Sequence, residues 1–329
     1  MNNNLTTEER SLLHSVQAGL PAVSHPFEHV GRQCRMEEAG VLAHLRAWKD
    51  QGLVRWLGAI FSTHALGYQS TLAAFSLPAD RVAEAAGIIN QHPGVTHNYQ
   101  RDHTYNLWFT LATPAHESIK AHLERLARTS GAKKWINLPV VKTYKISLVL
   151  PLASAGQAKG PAGPSPSDDR VYSVTDEEKS LIRILQEDWP LVPEPFRIIS
   201  EQWGGADEQS LIEKVDAWKK LGIIRRIAAI LRHHNAGFTV NWMVAWQVEE
   251  IDAAGELAAR NPLISHCYQR AVAGDWTYPL FTMLHARSEE EARKTVAELH
   301  GLIKPVDYKI LPTVREFKKI RLKLFDSGY

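Results

Sequence analysis

The run HNYQR, His97 to Arg101, returns as HCYQR, His266 to Arg270, 169 positions further on. Upstream of it, His64, Gly67 and Tyr68 of GAIFSTHALGY correspond to His234, Gly237 and Phe238 of AAILRHHNAGF at a shift of 170. Co-linear matches at a nearly constant shift mark an internal duplication. Whatever one half folds into, the other must fold into as well, and two such copies on one chain form a covalent pseudo-dimer. Between them LASAGQAKGPAGPSPSDDR, residues 152–170, has no apolar periodicity and is rich in Ala, Gly, Pro and Ser, the composition of an extended linker.

Each copy opens with helical patterns. TTEERSLLHSVQ begins on threonines with acids in its first turn, a favourable start for a helix. HPFEHVGRQC and MEEAGVLAHLRAWKDQG follow, the last closing on Gly52. The second copy answers with TDEEKSLIRILQ, EPFRIISEQWG and DEQSLIEKVDAWKKLG, ending at Gly222. With LVRWLGAIF or IIRRIAAIL as a β wing, each set predicts a winged helix-turn-helix. The rest of copy one runs strand STLAAFSL, helix ADRVAEAAGIINQ, strands VTHNYQ and YNLWFTLA, helix AHESIKAHLERLAR and strand VVKTYKISLVL. That βαββαβ order is ferredoxin-like, and copy two repeats it from Thr239 to Pro312. The predicted class is α+β, a tandem duplication. Winged helix-turn-helix domains are expected at 1–62 and 171–232, and ferredoxin-like domains at 63–151 and 233–329, with the linker at 152–170.

Bulk properties narrow the function. A formal charge of +2 exerts little global pull on nucleic acid or membrane. Cys34 and Cys267 stand far apart without metal-ligand spacing, as in a reducing compartment. MNNNLTTEERSLL lacks a basic stretch followed by an apolar one, and no apolar run approaches the roughly 20 residues that span a bilayer. The expectation is a cytoplasmic chain with no membrane partner.

A winged helix-turn-helix followed by this βαββαβ module resembles the Lrp/AsnC regulators over nearly all of both halves. Operator binding is one reading of the helices, and a retained scaffold is the other. A recognition helix presents its first residues to phosphates and base edges. Here those residues are Glu37 and Glu38, or Asp207 and Glu208. Carboxylates there meet roughly one negative charge per 1.7 Å of duplex, which argues against DNA. Trp48 and Trp218 read as core or inter-domain packing.

Most of the 15 histidines need no special role. His14, His25, His29, His44, His116, His122 and His300 fall on helices or their ends and read as solvated. His92 reads as a turn residue, and His285 as a satisfied core imidazole. The repeated sets differ. Alternation in a strand puts His97, Tyr99 and Arg101 on one face, and His266, Tyr268 and Arg270 likewise. An imidazole, a phenol and a guanidinium on one face suit a flat, anionic, aromatic ligand: the ring can reach iron, the phenol can donate, and the arginine can hold a carboxylate. Packing of the pseudo-dimer is the bland alternative. Zinc is poorly served by the adjacent His233 and His234. Neither a nucleophile elbow nor a phosphate-binding glycine motif is present.

At these residues the sequence resembles the siroheme decarboxylases, Lrp-like proteins of the heme d1 and alternative heme b pathways. GAIFSTHALGYQSTLAAF with HPGVTHNYQRDHTYNLWFTL is similar to one of their paired subunits. RRIAAILRHHNAGFTVNWMVAW with SHCYQRAVAGDWTYPLFTMLHARSEEE is similar to the other. The resemblance implies removal of carbon dioxide from the C12 and C18 acetates of siroheme to give 12,18-didecarboxysiroheme. It implies no cofactor beyond the iron tetrapyrrole substrate itself. It implies His97, His103, His233 and His266 as catalytic residues, with His97 or His266 as axial ligand to the substrate iron. Arg101 and Arg270 are the first candidates for the substrate's carboxylates, with Tyr99 and Tyr268 beside them and Arg225 and Arg232 from the wing strands. RDHTYNLW has no histidine counterpart in RAVAGDWTYPLF, so the two copies are not equivalent there. Two rival classes share the same pocket, a heme-responsive regulator and a tetrapyrrole carrier. Other heme d1 biosynthesis proteins are conceivable partners, and further assembly of the fused chain is open.

Overall fold

The computed structural model describes residues 5–146, 170–204, 207–231 and 239–326. Most of the linker predicted at 152–170 lies outside these residues, as do Arg232, His233 and His234. The duplication is plain in the order of elements. Copy one runs α1 (Thr7–Ala18), α2 (Pro26–Cys34), α3 (Glu38–Asp50), β1 (Val54–Phe61), β2 (Tyr68–Ser76), α4 (Val82–Asn90), β3 (Val95–Arg101), β4 (Leu107–Pro114), α5 (Ile119–Ser130) and β5 (Lys134–Ile146). Copy two repeats it as α6 (Asp176–Leu185), α7 (Pro195–Trp203), α8 (Glu208–Lys220), β6 (Ile224–Leu231), β7 (Val240–Gln247), α9 (Ile251–Arg260), β8 (Ile264–Arg270), β9 (Leu280–Ala286), α10 (Glu289–Ile303) and β10 (Asp307–Lys319). Helix starts follow local chemistry. Thr6 and Thr175 close capping boxes with Glu9 and Glu178. Ser118 caps α5, which delays that helix to Ile119 from the predicted Ala115.

The chain divides into two compact units, and the division separates element types rather than copies. The first unit contains all six helices of the helix-turn-helix patterns with β1 and β6. The predicted wing strands are β1 and β6, and they pair antiparallel with each other across the copies, from Val54 opposite Leu231 to Phe61 opposite Ile224. Leu20 N–H donates to the Ile227 carbonyl at 2.6 Å and Trp189 N–H to the Leu57 carbonyl at 2.8 Å, a pseudo-twofold pair of ties. At Gly58 a side chain would meet the Glu187 carbonyl at 2.6 Å, so the second copy's backbone requires glycine there. Trp48 and Trp218 are buried, as expected of core residues. The acidic helix starts are engaged within this unit. The Asp207 carboxylate accepts from Ser210, and Glu208 accepts from the Ser24 hydroxyl of the other copy at 2.8 Å. Residues 323–326 also belong to this unit, whereas the sequence expectation placed them with the second ferredoxin-like domain: Leu324 exchanges two hydrogen bonds with the Gln186 side chain.

The second unit holds the other eight strands and four helices. Each copy keeps the ferredoxin-like strand order, β3-β4-β2-β5 and β10-β7-β9-β8. The long strands β5 and β10 then cross over. β5 pairs with β8 and β10 with β3, closing an eight-stranded barrel with no free edge. Two apolar clusters lie beneath the helices, one around Phe75 and Phe109 and the other around Trp246 and Leu284. A third, drawn from both copies, contains Trp108, Leu138, Trp276, Phe281 and Leu311 and fills space on the opposite, inward faces. Among the described residues no helix is long and apolar enough to cross a membrane.

Candidate active site

The repeated pentapeptide occupies β3 and β8, one strand from each copy, on either side of the barrel seams. Simple alternation would place His97 on the same face as Val95, which belongs to the core beneath α4. A bulge between Val95 and His97, in the pairing with β4, breaks that alternation. Asn98 now faces the helix and donates to Asn90 at 2.9 Å, while His97, Tyr99 and Arg101 turn inward together. Copy two does the same. A bulge separates Ile264 from His266, Cys267 faces the helix, where burial pushes its thiol up to about 12, and His266, Tyr268 and Arg270 share the inward face.

The two inward sets superpose in their chemistry. His97 lies 6.2 Å from Tyr99 between ring centres, and His266 lies 5.9 Å from Tyr268. His97 Nδ1 bonds the Thr96 hydroxyl at 3.0 Å, and His266 Nδ1 bonds the Ser265 hydroxyl at 2.8 Å. The Arg101 guanidinium sits 5.4 Å from the Tyr99 ring centre, and that of Arg270 is 5.1 Å from Tyr268. Arg101 Nη1 donates to the Leu311 carbonyl at 2.5 Å, Arg270 Nη1 to the Leu138 carbonyl at 2.8 Å. Each arginine therefore clasps the crossover strand of the neighbouring copy. Among the described residues both Nε atoms are buried without a hydrogen-bond partner, and no carboxylate pairs with either side chain. Burial pushes both guanidinium pKa values down to about 10, so both stay charged at neutral pH. An unpaired cation in such surroundings costs several kcal/mol, roughly, which an anion lying on it would offset.

His103 sits in the turn between β3 and β4. Tyr105 N–H donates to its Nδ1 at 3.0 Å, so the neutral ring carries its proton on Nε2. Its pKa is lowered by burial first and by Lys309 second, against the pull of Asp275 and Asp102. The ring stands edge-on to Trp276 of copy two, 5.5 Å away.

The sequence-derived set is thus brought together in part. His97, Tyr99, Arg101, His103, His266, Tyr268 and Arg270 all belong to the barrel unit. Arg225 is exposed on β6 of the helical unit, and His64 is also exposed. His122, read as solvated, instead joins His92 at 2.9 Å and Glu117 at 2.8 Å in a polar chain. The carbonyls of Leu138 and Leu311 escaped sequence reasoning. Their signal is a repeated Leu-Pro, 138–139 and 311–312, at a shift of 173. Among the described residues no three His, Cys, Asp or Glu side chains gather as a metal site.

Comparison with known proteins gives this geometry a context. Residues 65–145 and 235–318 match the AsnC-like ligand binding domain, and residues 9–55 and 178–225 match the siroheme decarboxylase NirDL-like HTH domain. The siroheme decarboxylase of Hydrogenobacter thermophilus is 36% identical over 97% of this chain and 95% of its own length. The siroheme decarboxylase NirDL subunit of Paracoccus denitrificans is 34% identical, covering 94% of each. The crystal structure of the siroheme decarboxylase NirDL superposes with a TM-score of 0.78 at 30% identity, over 98% of this chain and 96% of that one. A second crystal structure of that enzyme, in complex with an iron-uroporphyrin III analogue, matches equally well.

Proposed function

Since the chain belongs to the siroheme decarboxylase family, we propose that it takes siroheme as substrate and removes carbon dioxide from the C12 and C18 acetates. The product is 12,18-didecarboxysiroheme, a precursor for heme d1 or for heme b by the alternative route. The observation that carries this is a pair of arginines with no acidic partner among the described residues, Arg101 buried and Arg270 half-buried, each beside a tyrosine and a histidine on an inward face. A polyanionic, flat macrocycle supplies both the missing anions and an aromatic surface.

The reaction balances without an oxidant. The bond between carboxylate carbon and methylene breaks, neutral carbon dioxide leaves, and the electron pair stays on the methylene carbon, conjugated with the macrocycle. That carbon then takes a proton and becomes a methyl group. We assign proton delivery to His103: its Nε2 proton passes to the methylene carbon, and the ring regains a proton from water before the next turnover. His97 or His266 serves as axial ligand to the substrate's iron, and Nδ1 of each bonds a neighbouring hydroxyl. The substrate supplies its own electron sink, so no further cofactor enters. His233 and Arg232 keep the roles their resemblance implies.

Anaerobic incubation of the purified protein with siroheme, followed by mass spectrometry of the extracted tetrapyrrole, tests this. Loss of two carbon dioxide units is expected. Binding with no mass change would leave a carrier or sensor.

A further inference from the structure

The turns that follow the two matching strands diverge in a way that links the copies. Asp102-His103-Thr104-Tyr105 aligns with Asp275-Trp276-Thr277-Tyr278 at a shift of 173. By symmetry Tyr105 should reach the other copy's aspartate, and Tyr278 should do likewise. Only the first contact exists. The Tyr105 hydroxyl donates to Asp275 at 2.5 Å, whereas Tyr278 donates to Asp307 of its own copy, and Asp102 lies exposed. The reason stands at the start of the crossover strands. Where copy two has Asp307, copy one has Lys134, so Tyr105 has no acid on its own strand. Lys134 instead approaches Asp275 at 3.5 Å.

Tyr105 is held at every polar point. Its carbonyl accepts from Trp108 Nε1 at 2.6 Å, its hydroxyl is on Asp275, and its N–H fixes His103. Its ring lies 6.3 Å from that of Trp276. The turn presenting Asp275 depends on Gly274, whose φ of 60° few side chains tolerate. Burial and the bond to Asp275 push the phenol up to about 12, so it remains a donor at any working pH.

We propose that Asp275, from the second copy, is a positioning residue for His103 of the first, acting through the Tyr105 hydroxyl. The proton-delivering imidazole is then aligned only when both copies are joined in one barrel. This rests on His103 delivering the proton in siroheme decarboxylation.

The test is a double-mutant cycle on siroheme turnover with Tyr105→Phe, Asp275→Ala and the pair combined. Each single change lowers kcat about tenfold with KM within about twofold, because the ring is misaligned while the substrate still binds. The double variant is no slower than either single one. Asp275→Asn, which retains an acceptor, recovers part of the loss, and Tyr278→Phe stays within about twofold of the parent. Additive losses, unchanged singles or an equal loss in Tyr278→Phe each overturn the assignment. Thermal unfolding of each variant separates misalignment from misfolding.

A second readout holds even where siroheme is not turned over, a result that would overturn the proposed function alone. The His103 titration, followed by NMR and assigned with His103→Gln, faces Lys309, Asp275 and Asp102. In Tyr105→Phe those charges remain, but the freed ring gains water, and the midpoint rises towards the ordinary value. A midpoint that does not move overturns the linkage.

Discussion

The strands β3 and β8 differ little in what they present, whereas the turns that follow them differ in almost every contact. Both strands offer histidine, tyrosine and arginine inward, both use a bulge to do so, and both arginines clasp a Leu carbonyl of the opposite copy. In the turns one copy places His103 and the other Trp276, and one tyrosine bonds across the copies while the other bonds within its own. Anion binding tolerates duplication, since a macrocycle with carboxylates around its rim can use two equivalent cations. On the proposed assignment one proton donor, His103, suffices, and the second turn is then free to serve as packing for the first.

The comparison can be broken most severely at His103. His103→Gln is expected to lower siroheme turnover about a hundredfold or more, the scale of a lost general acid, while Trp276→Phe costs only a few-fold. Equal losses would mean that the turns act alike. Next come the arginines. Arg101→Met and Arg270→Met should each weaken binding of an iron-uroporphyrin analogue by about tenfold or more, as for a lost charge-assisted hydrogen bond. A titration in which one change matters and the other does not would show that the strands have diverged as well.

The smallest effect concerns the turns that enter the two strands. His92 Nδ1 accepts from Gly94 N–H at 3.0 Å, and in copy two Asn261 takes its place, accepting from Leu263 N–H at 2.9 Å. Burial, then the neighbouring His122, lower the His92 pKa from 6.5 to about 4. Below about pH 6.5 the unfolded chain binds a proton at His92 that the folded one refuses, so stability falls as the pH drops towards 4. The loss should reach about 1–2 kcal/mol by pH 5. Hydrogen exchange should accelerate in β3 and α5 before β8 and α10, and His92→Asn should remove the difference.

Much of this was legible in the residues. The duplication, the ferredoxin-like strand order, the capped helices and the two His-Tyr-Arg sets follow from local periodicity and from matches along the chain, which depend only on neighbours in sequence. The shared inward face followed from alternation as well, although Val95 lies on the other side because a bulge, a property of strand pairing, intervenes. Pairing between distant segments was beyond reach. Nothing local says that β1 finds β6 instead of a hairpin partner, or that β5 and β10 cross over to close a barrel. The role of Asp275 is of the same kind. It depends on a lysine standing at 134 where its counterpart at 307 is an aspartate, and on a barrel that brings Tyr105 within a hydrogen bond of the other copy. Sequence by itself determined which chemical groups the protein owns and how many times it owns them. Tertiary structure decided which copy each group serves, because hydrogen bonds of 2.5 to 3 Å are set by strand register across the barrel, not by distance along the chain.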